Sequence, residues 1–390
     1  MTEWTLTRVS EMADIVSGGT PKTEIPEYWN GDISWLSVKD FAGDTKHVYS
    51  SEKTITELGL NNSATQLLFP GDVIISARGT VGEIAQIGKT MAFNQSCYGL
   101  RAKEGYSSDY LYYVLKYQIK YLKKVANGAV FDTIILKTFD KMKLYVPDLA
   151  TQKKIADILS AYDDLIENNL ARISLLEKMA SELYKEWFVR FRFPGHEAAK
   201  FVDSVPEGWC YRKFKDELTY NTGKLDSNAA VLDGDYNFYT CAKTIYKTNT
   251  YCFDGECVLL GGNNATGDFS LFYANEKLDA YQRTYIVTPK NPLLSCAYIY
   301  FVLNDYLLQF KTASIGAATK FLTKRMLDKA KILIPNENII LKYNGIVQSI
   351  FEQIISLKKQ NEILVTQRDL LLPRLMSGKL SVEPLLADTA

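Results

Sequence analysis

The chain has 390 residues, of which 47% are apolar, and its 45 lysines and arginines balance 45 acidic residues. This length allows two or three domains with sizeable cores. The zero net charge excludes a uniformly basic surface, so any nucleic-acid contact must come from local basic patches. No apolar run is long enough to cross a membrane, no signal peptide is recognisable, and the six cysteines are scattered. These features predict a cytoplasmic protein with reduced thiols.

Taken in chain order, the first half opens with VSEMADIVSGGTPKT, a short element that ends at the turn Gly18-Gly19. DISWLSV and DVIIS are rich in β-branched and apolar residues, which predicts strands, and Pro70-Gly71-Asp72 predicts the turn before the second strand. From Asp109, DYLYYVLKYQIKYLKKV places apolar residues on one face and lysines on the other, which predicts a helix. KMKLYVP is then typical of a strand.

Residues 151–191 contain no proline or glycine and carry a sustained heptad pattern. The pattern predicts a helix of about 60 Å that packs along its length against another helix. Its seam positions are Ile155, Leu159, Tyr162, Ile166, Asn169, Ile173, Leu176, Ala180, Leu183 and Trp187. All of them except Asn169 are apolar or aromatic. Residues 192–208 include two prolines and two glycines, so we interpret them as a linker.

The second half of the chain repeats the first. The matching pairs are Trp4 and Trp209, Gly18 and Gly223, Gly71 and Gly255, segments 110–115 and 298–303, Gly128 and Gly316, and Pro147 and Pro335. The sequence numbers differ by 205 in the first two pairs, by 184 in the third and by 188 in the last three. The first half therefore carries extra residues before its Gly-Asp turn. A constant offset across helix, strand and heptad indicates an internal duplication.

The offset of 188 predicts a second heptad seam. Its positions are Tyr343, Val347, Ile350, Ile354, Leu357, Asn361, Leu364, Arg368, Leu371 and Leu375. If the two helices pair antiparallel with full overlap, paired residue numbers sum to 530, which sets Asn169 against Asn361. We expect these two amides to bond each other and fix the register. In the alternative, one or both point to solvent.

These patterns predict an α+β protein. Two α/β domains in tandem duplication are separated by two long helices, which form an antiparallel coiled coil with pseudo-twofold symmetry. The expected segments are a first domain at 1–146, a first long helix at 147–192, a linker at 193–208, a second domain at 209–334, a C-terminal long helix at 335–378 and a tail at 379–390.

Motifs for catalysis are missing from the sequence. There is no Walker A motif, no Pro-Pro dipeptide of the kind found in adenine methyltransferases, and no Gly-x-Ser-x-Gly. Pro147-Asp148 lacks the acidic-x-Lys triplet of a nuclease metal site, and the two histidines lie in unrelated contexts. Residues 261–267 are glycine-rich but fit a tight loop better than a dinucleotide site. We therefore expect no catalytic residue, metal or cofactor in this chain.

Basic residues cluster with aromatic residues around the strand-like exit of each copy. The first cluster comprises Lys116, Lys120, Lys123, Lys124, Lys137, Lys141 and Lys143, and the second Lys311, Lys320, Lys324, Arg325, Lys329 and Lys331. Such clusters can neutralise phosphates, although a lysine run is also typical of a solvated helix face. Recurrence in both copies favours phosphate contact. The residues for which we predict DNA binding are Lys137, Lys141, Lys320 and Lys324.

Base reading requires forked or amide side chains on loops. The candidates are Lys22, Lys39, Arg78, Asn94 and Gln95 in the first copy, and Lys224, Asn263, Asn264, Gln282 and Arg283 in the second. We expect Gly18, Gly19 and Gly79 to let the backbone approach DNA closely. For each of these residues the alternative is a turn or an ordinary surface polar group.

The chain resembles the specificity subunits of Type I restriction-modification enzymes over its whole length. The resemblance is carried by SGGTPKTEIPEYWNGDISWLSVKDF, by PGDVIISARGTVGEIA with Asn94-Gln95 after it, and by LYVPDLATQKKIADILSAYDDLIENN. The second copy keeps VPEGW, the Gly-acidic turn and Ile-Pro before its helix. It lacks the SGGTP and Asp-Ile-Ser-Trp segments, and it has NENIILKYNGI where the first copy has LATQKKIADIL.

This resemblance implies a non-catalytic, sequence-specific DNA-binding subunit. Its two domains would be target-recognition domains, each reading one half of a bipartite, asymmetric DNA site. The paired helices would set the spacer and dock two methyltransferase subunits, which carry S-adenosylmethionine and modify adenine. Restriction subunits, which carry the ATP and Mg chemistry, would join through the methyltransferase subunits.

The outer face of the first long helix is where we expect the methyltransferase subunits to bind. The residues off the seam there are Lys153, Asp157, Asp164, Glu167 and Arg172. The competing interpretation is a coiled-coil scaffold that binds only protein partners. Specific, strongly salt-dependent binding to a DNA duplex would distinguish the first interpretation from the second.

Overall fold

The computed structural model describes residues 4–125, 133–314 and 319–382, with the backbone alone for 120–125. The chain forms two compact units, Met1–Ala171 with Leu357–Ala390, and Arg172–Ser356. Each long helix therefore contributes its first part to one unit and its last part to the other. The matched pair Gly128 and Gly316 lies outside the described residues.

The elements follow the predicted order. The first half forms β1 (Thr5–Arg8), α1 (Val9–Met12), β2 (Ala13–Ser17), β3 (Trp29–Leu36), α2 (Val38–Phe41), β4 (His47–Val48), β5 (Lys53–Ile55), α3 (Glu57–Asn61), β6 (Leu67–Leu68), β7 (Val73–Ser76), β8 (Ile84–Ile87), β9 (Met91–Phe93), β10 (Cys97–Ala102), α4 (Ser108–Val125), α5 (Leu136–Lys141), β11 (Lys143–Val146) and α6 (Leu149–Tyr184). The second half forms β12 (Phe201–Val202), β13 (Val205–Pro206), β14 (Cys210–Lys213), α7 (Phe214–Glu217), β15 (Leu218–Thr222), β16 (Tyr236–Tyr239), β17 (Tyr246–Thr248), β18 (Phe253–Gly261), β19 (Asn263–Asn264), β20 (Leu271–Ala280), β21 (Thr284–Pro289), α8 (Cys296–Ala313), β22 (Lys320–Phe321), α9 (Lys324–Lys329), β23 (Lys331–Ile334) and α10 (Glu337–Met376).

The first unit contains two sheets and one separate strand pair. The five-stranded sheet has the order β2-β10-β7-β8-β4, the four-stranded sheet has the order β5-β3-β9-β6, and β1 pairs with β11. The predicted strands DISWLSV and DVIIS are present as β3 and β7. Two pairings among the described strands of this unit are parallel, β3 with β9 and β4 with β8.

Helix α4 supplies the centre of the first unit's core. All six side chains from Tyr110 to Leu115 are at most 2% exposed. The start of α6 and the end of α10 pack into the same core, where Leu159 and Leu375 are fully buried. Since full burial of one leucine contributes roughly 1.5–3 kcal/mol, this contact fastens the long helices to the first domain.

In its described residues the second unit has one six-stranded sheet, with the order β15-β21-β18-β20-β16-β17, and three separate strand pairs, β12–β13, β14–β23 and β19–β22. β18 is one unbroken strand of nine residues, and the first unit has the two separate strands β6 and β7 in its place. β20 is likewise one strand of ten residues, and the first unit has β8 and β9 in its place. The first break falls at the predicted turn Pro70-Gly71-Asp72. Pro70 has no N–H to donate to a strand partner, and Gly71 adopts a φ of +92° that most side chains avoid.

The element boundaries confirm the duplication. The first residues of α4, α5, α6 and β11 are related to those of α8, α9, α10 and β23 by the offset of 188, and the first residues of β1, α1 and β2 are related to those of β14, α7 and β15 by the offset of 205. The strand register repeats both offsets, since Thr5 lies opposite Val146 and Cys210 lies opposite Ile334. The two offsets found in the sequence are therefore the spacings of equivalent structural positions.

Within the first unit, α6 and α10 run antiparallel. The predicted asparagine contact is present: Asn169 Nδ2 donates to Asn361 Oδ1 at 2.9 Å, and Asn361 Nδ2 donates to the carbonyl oxygen of Ile166 at 3.3 Å. The predicted seam residues of this unit that are buried are Ile155, Leu159, Ile166, Asn169, Leu357, Arg368 and Leu375, and those that are partly exposed are Tyr162, Asn361, Leu364 and Leu371. The amides therefore face each other along the helix pair.

Within the second unit the helix segments also run antiparallel. The rings of Trp187 and Tyr343, whose numbers sum to 530, lie 6.0 Å apart. The buried seam residues here are Ile173, Ala180, Trp187, Tyr343, Val347, Ile350 and Ile354, whereas Leu176 and Leu183 are partly exposed. Helix α6 continues past Tyr184 as one π-helical turn, Lys185–Val189, so it stops being regular α-helix before the expected end at residue 192.

The predicted linker is folded against the second unit. It contains a 3₁₀ turn, His196–Ala198, and the hairpin β12–β13. Phe193 is buried and its ring lies 4.9 Å from that of Trp209. The prolines and glycines therefore shape a packed connection in this stretch.

Candidate nucleic-acid interface

In the first unit, the loops that carry the predicted base-reading residues meet at one end of the sheets. β2 and β7 end where the antiparallel strand β10 begins, and the parallel strands β3 and β9 end together just before Asn94. Gly19 N donates to Phe93 O at 3.0 Å, and Ala77 N donates to Ser96 O at 2.8 Å. We call this set of neighbouring loops, residues 18–28, 37–41, 77–83 and 94–96, the first loop end.

The predicted residues of the first copy all lie at the first loop end. Those that are exposed are Lys22, Lys39, Arg78 and Gln95, and the half-buried one is Asn94. Thr20 Oγ1 donates a hydrogen bond to Gln95 Oε1, so the donor Nε2 of this exposed amide is not used in that contact. Asn94 Oδ1 accepts from Ser96 N at 3.0 Å, so this side chain holds a turn.

Two of the predicted glycines serve protein packing. A Cβ at Gly18 would collide with the carbonyl oxygen of Asn94, and one at Gly19 would collide with the backbone of Thr65. Close packing of neighbouring loops therefore accounts for glycine at both positions, and the close approach to DNA stays a prediction. Gly79 has a φ of +74°, and a Cβ there would meet no described atom within 4 Å, so it stays a candidate for close approach.

The second unit repeats this arrangement. β15 and β18 end where the antiparallel strand β21 begins. Gly262 N donates to Arg283 O at 2.7 Å, which matches the bond from Ala77 to Ser96 in the first unit. Cys241 Sγ also contacts Arg283 O, at 3.6 Å. We call residues 223–225, 240–245, 262–268, 281–283 and 320–323 the second loop end.

The five predicted base-reading residues of the second copy lie at the second loop end. Those that are exposed are Lys224, Gln282 and Arg283, and those that are half-buried are Asn263 and Asn264. Asn264 Oδ1 accepts from Thr266 N at 2.8 Å and from Asp268 N at 3.2 Å, which closes the tight loop predicted at 261–267. Asn263 Oδ1 is buried without a partner among the described residues.

A later segment adds cations to each loop end. In the second unit, Lys320 lies opposite Asn264 in the strand pair β19–β22, and Leu322 N donates to Gly262 O at 2.9 Å. In the first unit, Ile134 N donates to Ala77 O at 2.9 Å. Helices α5 and α9 therefore start beside the loop ends.

The four basic residues predicted to bind DNA are not all brought to the loops. Lys137 is exposed in the first turn of α5, and Lys324 begins α9 with its Nζ 5.8 Å from the ring of Tyr220. Lys141 is exposed at the far end of α5, beside β11. Lys137, Lys320 and Lys324 therefore belong with the loop ends, and Lys141 does not.

Two lysines of the predicted basic clusters have other partners. Lys116 Nζ lies 3.1 Å from Tyr112 Oη, and burial together with the nearby charge of Arg368 lowers the pKa of Lys116. Lys311 pairs with Asp268 at 2.6 Å. A solvated lysine face is thus wrong for Lys116. The side chains of Lys120, Lys123 and Lys124 lie outside the described residues.

The first unit also contains a buried ion pair that was not predicted from the sequence. Asp163 and Arg368 have side chains that are each 1% exposed, and their atoms Oδ1 and Nη1 lie 2.5 Å apart. Tyr113 Oη donates to the other oxygen of Asp163 at 2.5 Å. The available signal was Arg368 itself, a charged residue on an apolar seam. Its partner, Asp163, lies next to the seam position Tyr162, and nothing in the sequence around it predicted that it would be buried.

The extra residues of the first half bind the long helices. Lys46 Nζ donates to Ser160 Oγ at 2.8 Å and pairs with Asp109 at 2.6 Å. Glu167 accepts from His47 N at 2.8 Å and lies 3.0 Å from His47 Nδ1. Glu167 is therefore half-buried in the first unit, and its predicted place on an open docking face is wrong.

Within 4–125, 133–314 and 319–382, no group of three or more His, Cys, Asp or Glu side chains is arranged to hold a metal ion. In the same part of the chain, no helix is both long and apolar enough to cross a lipid bilayer. The loop ends also carry the carboxylates Glu24, Glu27, Asp40, Glu83 and Asp268. The side chains predicted there to bind DNA are donors and cations on a backbone anchored by hydrogen bonds. Such an arrangement is suited to binding phosphates and base edges.

Two copies of one α/β domain, each with donors and cations at one sheet end and each packed on paired long helices, define a duplicated recognition protein. The chain belongs to the Type I restriction modification DNA specificity domain family, whose model matches residues 1–178 and 206–367. Both copies of the domain are thus matched together with much of both long helices.

Individual relatives agree with this assignment. The chain is 29% identical to the Type I restriction enzyme MjaIX specificity subunit of Methanocaldococcus jannaschii, over 98% of this chain and 95% of that protein. It is 29% identical to the Escherichia coli Type I restriction enzyme EcoDI specificity subunit, over 46% of this chain and 40% of that protein. The crystal structure of a Type I restriction-modification S subunit from M. genitalium has the same fold, with a TM-score of 0.60, 16% identity and 96% of each chain covered.

Proposed function

We propose that this chain is the sequence-specific DNA-binding subunit of a Type I restriction-modification system, and that each domain reads one half of a bipartite, asymmetric site. The observation that carries this proposal is the recurrence of the loop end at equivalent positions in both copies. The two loop ends present different side chains on the same backbone frame, so the two half-sites should differ in sequence.

The cations that flank each loop end support a division of labour. Lys22, Lys39 and Lys137 in the first unit, and Lys224 and Lys320 in the second, can contact phosphates and set the register on the duplex. Arg78, Gln95, Gln282 and Arg283 carry the forked or amide groups that distinguish base pairs. Affinity then comes mainly from the first set and sequence discrimination from the second.

The long helices are proposed to set the spacer between the half-sites. They contain 36 and 40 residues, which at 1.5 Å per residue gives lengths of about 54 and 60 Å. One turn of DNA is about 34 Å long, so both helices are longer than one turn. Deleting residues 169–175 together with their partners 355–361 removes one heptad, about 10 Å, from each helix. The recognised spacer should shorten by up to about three base pairs with both half-sites unchanged, and an unchanged spacer would refute this role.

The chain is proposed to catalyse nothing itself and to bring the DNA to two methyltransferase subunits, which would supply S-adenosylmethionine chemistry. Restriction subunits with ATP and Mg chemistry would join through them, in the cytoplasm. Exposed apolar side chains on the helices of the first unit suit such docking, among them Leu165, Leu170, Ile363 and Leu370.

The decisive experiment uses the chain assembled with its methyltransferase subunits. The complex should bind one duplex sequence specifically, and affinity should fall steeply with salt as counterions are released from the phosphates. Genome-wide mapping of methylated adenines should return one two-part motif. Binding that is absent or independent of sequence would favour the alternative, a coiled-coil scaffold for protein partners alone.

A further inference from the structure

We propose that Arg283 reads a guanine in the half-site of the second domain, and that Phe321 holds its guanidinium group in the reading plane. This inference rests on the proposed function and adds the identity of one base to it. It starts from three features that meet at the second loop end: an exposed arginine, an aromatic ring and an anchored backbone.

The backbone around Arg283 is held on both sides. Its carbonyl oxygen accepts from Gly262 N at 2.7 Å and contacts Cys241 Sγ at 3.6 Å. The preceding residue, Gln282, donates its N–H to Leu225 O at 2.9 Å. Base discrimination requires a side chain that starts from a fixed position, and these contacts supply one.

The side chain is oriented by a ring. The guanidinium carbon of Arg283 lies 5.2 Å from the centre of the Phe321 ring. Phe321 is itself held opposite Asn263 in the strand pair β19–β22. Stacking restricts the guanidinium plane, so less conformational entropy is lost when two of its N–H groups bind one base edge. Asp268, a carboxylate of the same loop end, is paired with Lys311.

Guanine is the base that fits this donor set. In the major groove it presents two acceptors, N7 and O6, and a bidentate arginine on these atoms is the commonest specific contact between proteins and DNA. A phosphate could also accept from Arg283, but Lys224 and Lys320 already place charge nearby. A phosphate contact depends mainly on charge and tolerates lysine, whereas the bidentate contact depends on the arginine fork.

The first unit lacks this pair. The bond from Gly262 to Arg283 corresponds to the bond from Ala77 to Ser96, so Ser96 stands at the position of Arg283. Thr133 stands at the position of Phe321, by the same offset that relates α5 to α9. Each member of the pair is therefore replaced by a short hydroxyl side chain, Arg283 by Ser96 and Phe321 by Thr133. The effect of changing Arg283 should therefore be confined to one half-site.

The test uses cells that carry the complete system, with methylated sites mapped across the genome. The second half-site is identified as the one that the first-domain variant R78A/Q95A leaves intact. We expect it to contain a G·C pair in the wild type. Arg283→Lys should lose preference for that pair by about 5- to 150-fold, the range for one bidentate contact. Phe321→Leu should give a smaller loss at the same position.

Arg212→Gln is the matched control, because it removes an exposed arginine elsewhere in the same unit and should leave the motif unchanged. Arg283→Gln, assayed in the same assembled complex, repeats the test should Arg283→Lys fail to assemble. A second half-site without a G·C pair, a full methylation rate with Arg283→Lys, or equal losses in both half-sites would each overturn the inference. Failure of the proposed function differs from these outcomes, since the wild type would then methylate no two-part motif at all.

Discussion

The two units fasten the long helices to their domains by different chemistry at equivalent positions. In the first unit, Tyr113 on α4 donates to Asp163 on α6, and Asp163 pairs with the buried Arg368. In the second unit, the equivalents of Tyr113 and Asp163 are Phe301 and Phe351, whose rings lie 5.9 Å apart. One fold accepts either solution, because each fills the space and leaves no polar atom of its own unpaired.

This difference specifies which helices pair. Suppose that α6 of one chain paired with α6 of a second chain, in the register that α6 and α10 use. Asp163 would then lie near Ala180, the counterpart of Arg368, and Asn169 would lie near Ile173, the counterpart of Asn361. Each polar side chain would then be buried without its partner, at a cost of roughly 1–3 kcal/mol or more. The unlike chemistry of the two halves therefore favours pairing within one chain over pairing of like halves.

The largest expected effect comes from breaking the ion pair on one side. Arg368→Met leaves the buried carboxylate of Asp163 with its hydrogen bond from Tyr113 but without a cation, which should lower the free energy of unfolding of the first unit by about 3–5 kcal/mol. Hydrogen exchange of the core amides of that unit measures the loss, since two compact units need not unfold together.

Two variants sharpen this result. Asp163→Leu combined with Arg368→Met removes both charges and should recover most of the stability, because an apolar pair of similar volume can replace a buried ion pair. Lys103→Met breaks an ion pair with Asp14 in the same unit, in which both side chains are at least 39% exposed. Lys103→Met should lower the free energy of unfolding of the first unit by less than about 1 kcal/mol. Equal losses for Arg368→Met and Lys103→Met would contradict the special role of the buried pair.

The next effect concerns the independence of the two loop ends. Arg78→Ala combined with Gln95→Ala removes two candidate base contacts from the first domain and should slow methylation of the wild-type site about tenfold or more. Relaxed recognition should appear in one half-site only, and Gln282→Ala should relax the other. The methylated motif and the methylation rate of a cognate duplex report both outcomes. Relaxation of both half-sites by the first variant would mean that the domains do not read separately.

Much of the fold was predictable because its signals are local or periodic. The heptad seam gave the long helices, and the offset of 188 gave the second copy and the contact between Asn169 and Asn361. The merging of two sheets into one in the second unit was not predicted. Asp254 stands there at the position of Pro70, and a missing strand break leaves no pattern in the sequence.

The candidate site was predictable only in part. Residues such as Gln95 and Arg283 could be chosen because they are forked or amide side chains in loops next to strands. Their orienting partners, Thr20 and Phe321, lie far from them in the sequence, and only the sheet pairing brings them together. The contact of Glu167 with His47 was missed for the same reason.

A smaller effect is expected where the helix register is set. Asn361→Ala removes the oxygen that accepts from Asn169, which is 6% exposed, and should cost the first unit about 1 kcal/mol. Asn169→Leu with Asn361→Leu should restore stability but release the register, because leucines pair in more than one alignment. The double variant should then methylate sites with more than one spacer length. A single unchanged spacer would show that other contacts, such as Asp163 with Arg368, fix the register alone.

The smallest expected effect is a pH dependence of stability that the first unit has through Glu167 and the second unit lacks. Burial alone would raise the pKa of Glu167, but hydrogen bonds from the ring and the backbone N–H of His47, with the charges of His47 and Lys46, hold it below the ordinary 4.5. Because the folded-state pKa is the lower one, the stabilisation is present at neutral pH and is lost as the pH falls below 4.5.

In the wild type, the free energy of unfolding of the first unit should fall between neutral and acid pH as Glu167 is protonated. In Glu167→Gln this fall should be smaller by about 1 kcal/mol or less. The profile of the second unit should not change, since it lacks the segment that carries Lys46 and His47. Hydrogen exchange between pH 7 and pH 3, followed separately in each unit, measures both. Parallel profiles for Glu167→Gln and the wild type in the first unit would mean that the inserted segment holds the helix through Lys46 and not through His47.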